Sequence, residues 1–177
     1  KVSQALFTEV EREKKSGVIQ EMKTLYLERT KSEELPVLLT ERIKILAMEY
    51  AEVYQKIAHA AQFKEPTFNS IGLHWYPVGS VVITPHQDYA ADSNLVTSFV
   101  LSGNAPFFVC RDRQMTSTLQ LSTEPGTVIF MRAARIELEQ PFRPFHYLVG
   151  PMKSERCSIL IRNRTKDKMK QLKANQY

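Results

Sequence analysis

Thr84-Pro85-His86-Gln87-Asp88, read together with His146 and the run Arg156-Cys157-Ser158-Ile159-Leu160-Ile161-Arg162, is the stretch around which the chain can be organised. If the segment up to His86 is extended, His86 and Asp88 stand at i and i+2, and their side chains leave one face of a strand. An imidazole beside a carboxylate needs one more imidazole to make a two-His, one-carboxylate face for iron(II), with the opposite coordination positions open. His146 is the candidate third ligand. The alternative for Pro144-Phe145-His146-Tyr147 is a half-buried histidine satisfied by a hydrogen bond. In the last run Arg156, Ser158, Leu160 and Arg162 alternate with Cys157, Ile159 and Ile161, so the two arginines share a face. The apolar set needs burial, which turns the arginines either to solvent, as a basic edge, or to a cavity. In a cavity two guanidiniums need an anion. A small dicarboxylate meets both, because arginine binds carboxylates in a bidentate fork.

Composition bounds the rest. The 177 residues, 43% hydrophobic and 24% charged, fit one soluble globular domain able to bury a core. No apolar run approaches the roughly 18 residues of a membrane span. Lys1-Val2-Ser3 begins no signal-peptide pattern. Cys110 and Cys157 both lie in apolar, strand-like runs, which suits buried free thiols and a reducing, intracellular compartment, cytoplasmic or nuclear. The net charge of +5 is local: from Arg162 onward six basic residues stand against Asp167, leaving 18 basic and 18 acidic residues elsewhere. Such a tail either holds phosphates through a salt-sensitive attraction or is simply a solvated end.

Along the chain, residues 1–67 read as a helical N-terminal support, with short helices or an initial strand before Leu35-Pro36. Thr40 resembles an N-cap, and Ile43, Leu46, Ala47, Tyr50, Val53, Tyr54 and Ile57 then share a face at helical spacing. His59 falls at the C-terminal end of that helix, facing its dipole. From Phe68 the period becomes that of strands, expected at Ile71–Tyr76, Val81–His86, Leu95–Leu101, Pro106–Cys110, Thr118–Leu121, Thr127–Met131, Phe145–Val149 and Arg156–Arg162. Turn residues such as Pro77-Val78-Gly79-Ser80 and Glu124-Pro125-Gly126 separate them. The expectation is an α+β protein: a jelly-roll or barrel core of about eight strands over residues 68–164, and a basic tail over 165–177. The irregular segment from Arg132 to Arg143, just ahead of His146, is a plausible substrate-side loop.

The order of these parts resembles the Fe(II)/2-oxoglutarate-dependent dioxygenases: His86-x-Asp88, 57 intervening residues, His146, Arg156 ten residues on and Arg162 six further. Within that superfamily the likeness is greatest to the AlkB-like branch, over residues 70–164. There an Asn-x-Tyr motif precedes His-x-Asp and the last strand reads Arg-x-Asn-x-Thr-x-Arg. Here His74-Trp75-Tyr76 precedes His86, and the last strand is Arg156-x-Ser158-x-Leu160-x-Arg162. His74, Ser158 and Leu160 depart from that pattern, and residues before 70 show no nucleotide-holding lid. A single Arg after the distal His is also the pattern of TET/JBP-like oxygenases and prolyl hydroxylases.

The resemblance implies a double-stranded β-helix with His86, Asp88 and His146 as iron ligands. It further implies Arg156 on the distal carboxylate of 2-oxoglutarate, Arg162 near the metal-chelating end, and Tyr76, Ser158 and His74 among the co-substrate contacts. Cofactors are then Fe(II), 2-oxoglutarate and O2. The substrate implied is a base of DNA or RNA, to which Trp75, Tyr76, Tyr89, Phe145 and Tyr147 offer stacking surfaces. For Trp75, opposite in direction to His74 and Tyr76, a place in the core is the better reading. The protein is expected to act as a monomer without a membrane. The other readings are a hydroxylase of a protein side chain or small molecule, and a non-catalytic β-barrel binding module.

Overall fold

The computed structural model describes residues 8–11, 21–26, 37–61, 68–80, 83–88, 92–133 and 144–164. Strands β1 (Thr8–Glu11) and β2 (Glu21–Tyr26) precede helix α1 (Val37–Ala60). Eight strands follow: β3 (Ser70–Tyr76), β4 (Ile83–His86), β5 (Asp92–Ser102), β6 (Phe107–Cys110), β7 (Leu119–Leu121), β8 (Val128–Arg132), β9 (Phe145–Leu148) and β10 (Arg156–Arg164). All eight strands expected after Phe68 form. Val81, Val82, Tyr89, residues 134–143 of the expected loop and the tail from 165 lie outside the described residues.

The strands make two antiparallel sheets, one in the order β1-β2-β3-β10-β5-β8 and one in the order β4-β9-β6-β7. From β3 onward the chain crosses from sheet to sheet at every turn except the β6–β7 hairpin, which is the winding of a jelly roll. Among the described residues the N-terminal support holds helix α1 and the strands β1 and β2. β2 pairs with β3 and β1 with β2, extending the edge that β3 would otherwise leave open.

Helix α1 begins at Val37, directly after Pro36 in the sequence, so Thr40 lies inside it. Proline suits a helix start because the first turn's N–H groups have no intrahelical acceptor. Ile43, Tyr50, Tyr54 and Ala58 are buried against the six-stranded sheet with Leu73, Leu95, Ile159 and Ile161. Tyr50 anchors that layer. Its ring meets Phe99 edge-on at 5.4 Å, and its hydroxyl shares a 2.5 Å hydrogen bond with Thr97. Val53, expected on this face, is 46% exposed, because a residue three on from Tyr50 and one short of Tyr54 falls on the helix flank. Trp75 is half-buried on this outer face and takes no part in the core cluster.

Alternation in β10 therefore sorts as expected. Ile159 and Ile161 face α1, while Arg156, Ser158, Leu160 and Arg162 face the space between the sheets. A second core cluster fills the far end of that space with Tyr76, Ile83, Ala105, Phe107, Ile129, Leu148 and Met152. Cys110 is buried and Cys157 half-buried, both as free thiols.

Candidate metal centre

β4 is an edge strand, which is where Pro85, lacking a donor, can sit. β4 ends at His86, and its partner there is His146 of β9, directly across the ladder. The two rings lie 4.3 Å apart between centroids at 58°. Asp88 falls beyond the end of β4, so the expected strand geometry does not itself place it; the carboxylate still comes to the same side, with Oδ2 3.8 Å from His146 Nε2. One donor atom from each of His86, Asp88 and His146 lies within 4.8 Å of the others. Donors about 2.1 Å from a shared octahedral ion stand about 3 Å apart, so small side-chain rotations close this set on one ion.

The histidines are prepared for that role. His86 Nδ1 is 2.9 Å from the Thr84 carbonyl, which can only accept, so in the neutral ring Nδ1 carries the proton and Nε2 is the atom left to bind an ion. Phe107 stacks on the His146 ring at 5.8 Å and 28°. All three side chains are largely out of water: His86 is 6% exposed, Asp88 8% and His146 12%.

They open into a cleft between the sheets, lined by side chains of both. The strand registers give it depth. β5 starts at Asp92, four residues after Asp88, and Asp92 pairs with Arg164, so the C-terminal end of β10 lies at the metal end. Arg156 pairs with Tyr76 at the opposite end. Between them Ile83, Phe107 and Leu148 make an apolar wall.

At the deep end Arg156 is 3% exposed. Its guanidinium lies 5.5 Å from the Tyr76 ring, and Nη1 donates a long 3.4 Å hydrogen bond to Ser158 Oγ, while Nε has no partner. No carboxylate among the described residues meets it. Burial pulls this guanidinium below its usual range, with Tyr76 and Cys157 opposing. A buried, uncompensated cation with an unused donor is the environment a ligand carboxylate completes. His74 is also buried and lines the cleft opposite Ser158 in register.

Arg162 faces the cleft but has a carboxylate of its own. Its Nε lies 3.9 Å from Asp92 Oδ2, and Arg164 Nε donates to Asp92 Oδ1 at 3.2 Å. Arg162 thus has a carboxylate of the protein at ion-pair distance, which Arg156, among the described residues, does not. Asp92 is fully buried; burial pushes its carboxyl up and the two guanidiniums pull it back. It is the residue the sequence did not single out, since Asp92-Ser93-Asn94 reads as turn and carries no period.

No protein-family model matches the chain, and no curated protein matches it. Among solved structures, a prolyl-4-hydroxylase from Pseudomonas putida superposes with a TM-score of 0.59 at 11% identity, over 92% of this chain and 79% of that one. A predicted oxalate decarboxylase from Thermotoga maritima gives a TM-score of 0.44 at 10% identity, over 93% and 98%. A cupin 2 conserved barrel domain protein from Rhodopseudomonas palustris gives 0.44 at 9%, over 95% and 83%. The first likeness shows the fold: this chain is a double-stranded β-helix protein.

Proposed function

We propose that the chain is an Fe(II)- and 2-oxoglutarate-dependent dioxygenase, and that its substrate is a nucleic-acid base, hydroxylated or oxidatively demethylated. One observation carries the enzymatic part: a His86–Asp88–His146 donor set and an anion-seeking Arg156 occupy opposite ends of one cleft.

His86 Nε2, one oxygen of Asp88 and a nitrogen of His146 would hold iron on one face and leave three of its six positions open. Arg156, with Ser158 and Tyr76 beside it, would take the distal carboxylate of the co-substrate. Ile83, Phe107 and Leu148 would enclose its methylene portion and keep water out. When bound, iron with 2-oxoglutarate and O2 supplies the oxidation: the co-substrate leaves as succinate and CO2, and one oxygen atom enters a substrate C–H bond. A hydroxylated N-methyl group then leaves as formaldehyde. Asp88 favours hydroxylation, since related halogenases lack the carboxylate and seat a halide in its place.

Support for a base as substrate, and for an AlkB-like branch, comes from the spacing of Arg156 and Arg162 in the last strand and from Lys166, Lys168, Lys170 and Lys173 in the sequence beyond it. The test is anaerobic titration of the purified protein with Fe(II) and then 2-oxoglutarate, watching for the weak visible charge-transfer band of the chelate. The band is expected; turnover of modified oligonucleotides, against peptides as the competing class, then decides the substrate. Folded protein that gives no band would mean a β-barrel binding module and not an oxygenase.

A further inference from the structure

The β6–β7 hairpin carries a charged turn that the oxidation chemistry does not use, and the strand register sets this turn beside the metal donors. Val109 of β6 pairs with His146 of β9, and Cys110, the last residue of β6, pairs with Phe145. The chain then runs through Arg111-Asp112-Arg113-Gln114-Met115-Thr116-Ser117-Thr118 into β7. Arg111 is therefore two residues, about 7 Å of strand, beyond the rung that holds His146. The turn is fixed in place. The Arg111 backbone N–H donates to the Thr116 carbonyl at 2.9 Å and the Met115 N–H to the Asp112 carbonyl at 3.1 Å. The Asp112 carboxylate accepts from the Thr116 N–H and hydroxyl, and the Thr118 hydroxyl donates to the Met115 carbonyl at 2.6 Å. Met115 and Ser117 stand in the left-handed region at φ 62° and 50°, a conformation that residues other than glycine keep only where their surroundings impose it. Arg113 lays its guanidinium over the Phe145 ring, 6.0 Å from the centroid, which ties the turn to the neighbour of His146.

The opposite end of the cleft is shut by the buried side chains of Tyr76, Leu148, Met152 and Arg156, so a substrate reaches the ion from the end where this turn lies. Arg111 and Arg113 are both exposed there. The one acid of the turn, Asp112, gives its carboxylate to Thr116. We propose that the β6–β7 turn is the substrate-docking element of the site, and that Arg111 binds a backbone phosphate of a single-stranded nucleic acid whose base lies at the metal. This rests on the nucleic-acid reading above and deepens it. A guanidinium takes two phosphate oxygens in one fork, and a backbone that is already held loses little freedom when the ligand arrives. Arg113, braced on Phe145, adds its charge to the same approach.

The test is fluorescence anisotropy of a labelled single-stranded oligonucleotide titrated with the full chain over a range of salt, in the presence of Mn(II), a redox-inert probe for the iron site. Arg111→Gln is expected to weaken binding about fivefold or more at low salt and to lower the slope of log K against log salt by about 0.7, the loss of one phosphate contact. Its calorimetric Mn(II) affinity should stay within about twofold of native. Arg42→Gln, an equal loss of charge at an exposed position of α1 behind the larger sheet, should bind the oligonucleotide as the native protein does. Native affinity and slope in Arg111→Gln overturn the inference and leave the nucleic-acid reading standing. An equal loss in Arg42→Gln also overturns it, since the effect is then one of net charge and not of the turn. So does a loss of Mn(II) affinity in Arg111→Gln, which would make the arginine a support of the metal centre. A native protein that binds no oligonucleotide overturns the nucleic-acid reading and this inference together.

Discussion

The six-stranded sheet brings its two cleft arginines, Arg156 and Arg162, from one long strand, β10, whereas the four-stranded sheet brings His86 and His146 from near the ends of two four-residue strands, β4 and β9. In β10 a simple alternation places Arg156, Ser158, Leu160 and Arg162 on one face, with Ile159 and Ile161 locked under α1 behind them. In the smaller sheet nothing local aligns the three candidate donors. His86 and His146 meet because β4 and β9 pair at that rung, and Asp88 joins them from beyond a strand end. The halves should therefore fail differently: the smaller sheet through loss of metal, the larger through loss of anion affinity.

The widest separation should come from exchanging one residue in each half. Asp88→Ala is expected to abolish metal binding and lower turnover by on the order of 10³-fold or more, with the melting temperature of the metal-free protein little changed. Arg156→Gln should leave Mn(II) binding near native and raise the KM for 2-oxoglutarate about 10- to 100-fold, the worth of a charge-assisted contact. Calorimetry and steady-state kinetics read the two effects separately. Loss of metal in the arginine variant would break the division.

A subtler change disturbs the larger sheet without touching a cleft side chain. Gly103 has φ +70°, and a Cβ there would stand 2.2 Å from the Glu155 carbonyl oxygen and 2.8 Å from Arg156 Cα. Gly103→Ala should cost about 1–3 kcal/mol of stability. It should also raise the 2-oxoglutarate KM by displacing the start of β10, with Mn(II) affinity preserved. Thermal melts and the same kinetics check it, and an unaffected KM would show that Arg156 tolerates movement of its strand.

The smallest effect concerns the support behind the larger sheet. Burial pushes the Tyr50 hydroxyl from its ordinary 10.0 to about 12, with the Thr97 hydrogen bond opposing and Tyr54 adding to the rise. The folded value lies above the unfolded one, so folding favours the neutral phenol. That contribution is complete below pH 10 and is lost as pH rises from 10 to about 12. Thermal midpoints should fall across that window, and Tyr50→Phe should flatten part of the fall. An unchanged slope in the variant would mean that Tyr50 is not the titrating group.

Much of this was legible from residue order. The switch of period near Phe68 marked eight strands, the stripe through Ile43, Tyr50 and Tyr54 marked α1, and His86, Asp88, His146 and Arg156 were the right residue types to converge on one cleft. Two kinds of feature were not legible. Asp92 and the polar opening of β5 carry no period; they are strand because Asp92 and Ser93 pair with Arg164 and Asn163. The different fates of Arg156 and Arg162 are equally invisible, since both obey the same alternation and only the position of Asp92 separates them.

The sequence by itself determined which faces are buried and which residue types meet there, because side-chain direction repeats every two residues in a strand and every 3.6 in a helix. Only the tertiary structure decided that His86 stands opposite His146, that β1 and β2 extend the larger sheet, and that Asp92 lies beside one of two like arginines and not the other. Those outcomes depend on pairing between strands far apart in the chain, and that register is set by the joint burial of both partners, not by any local run of residues.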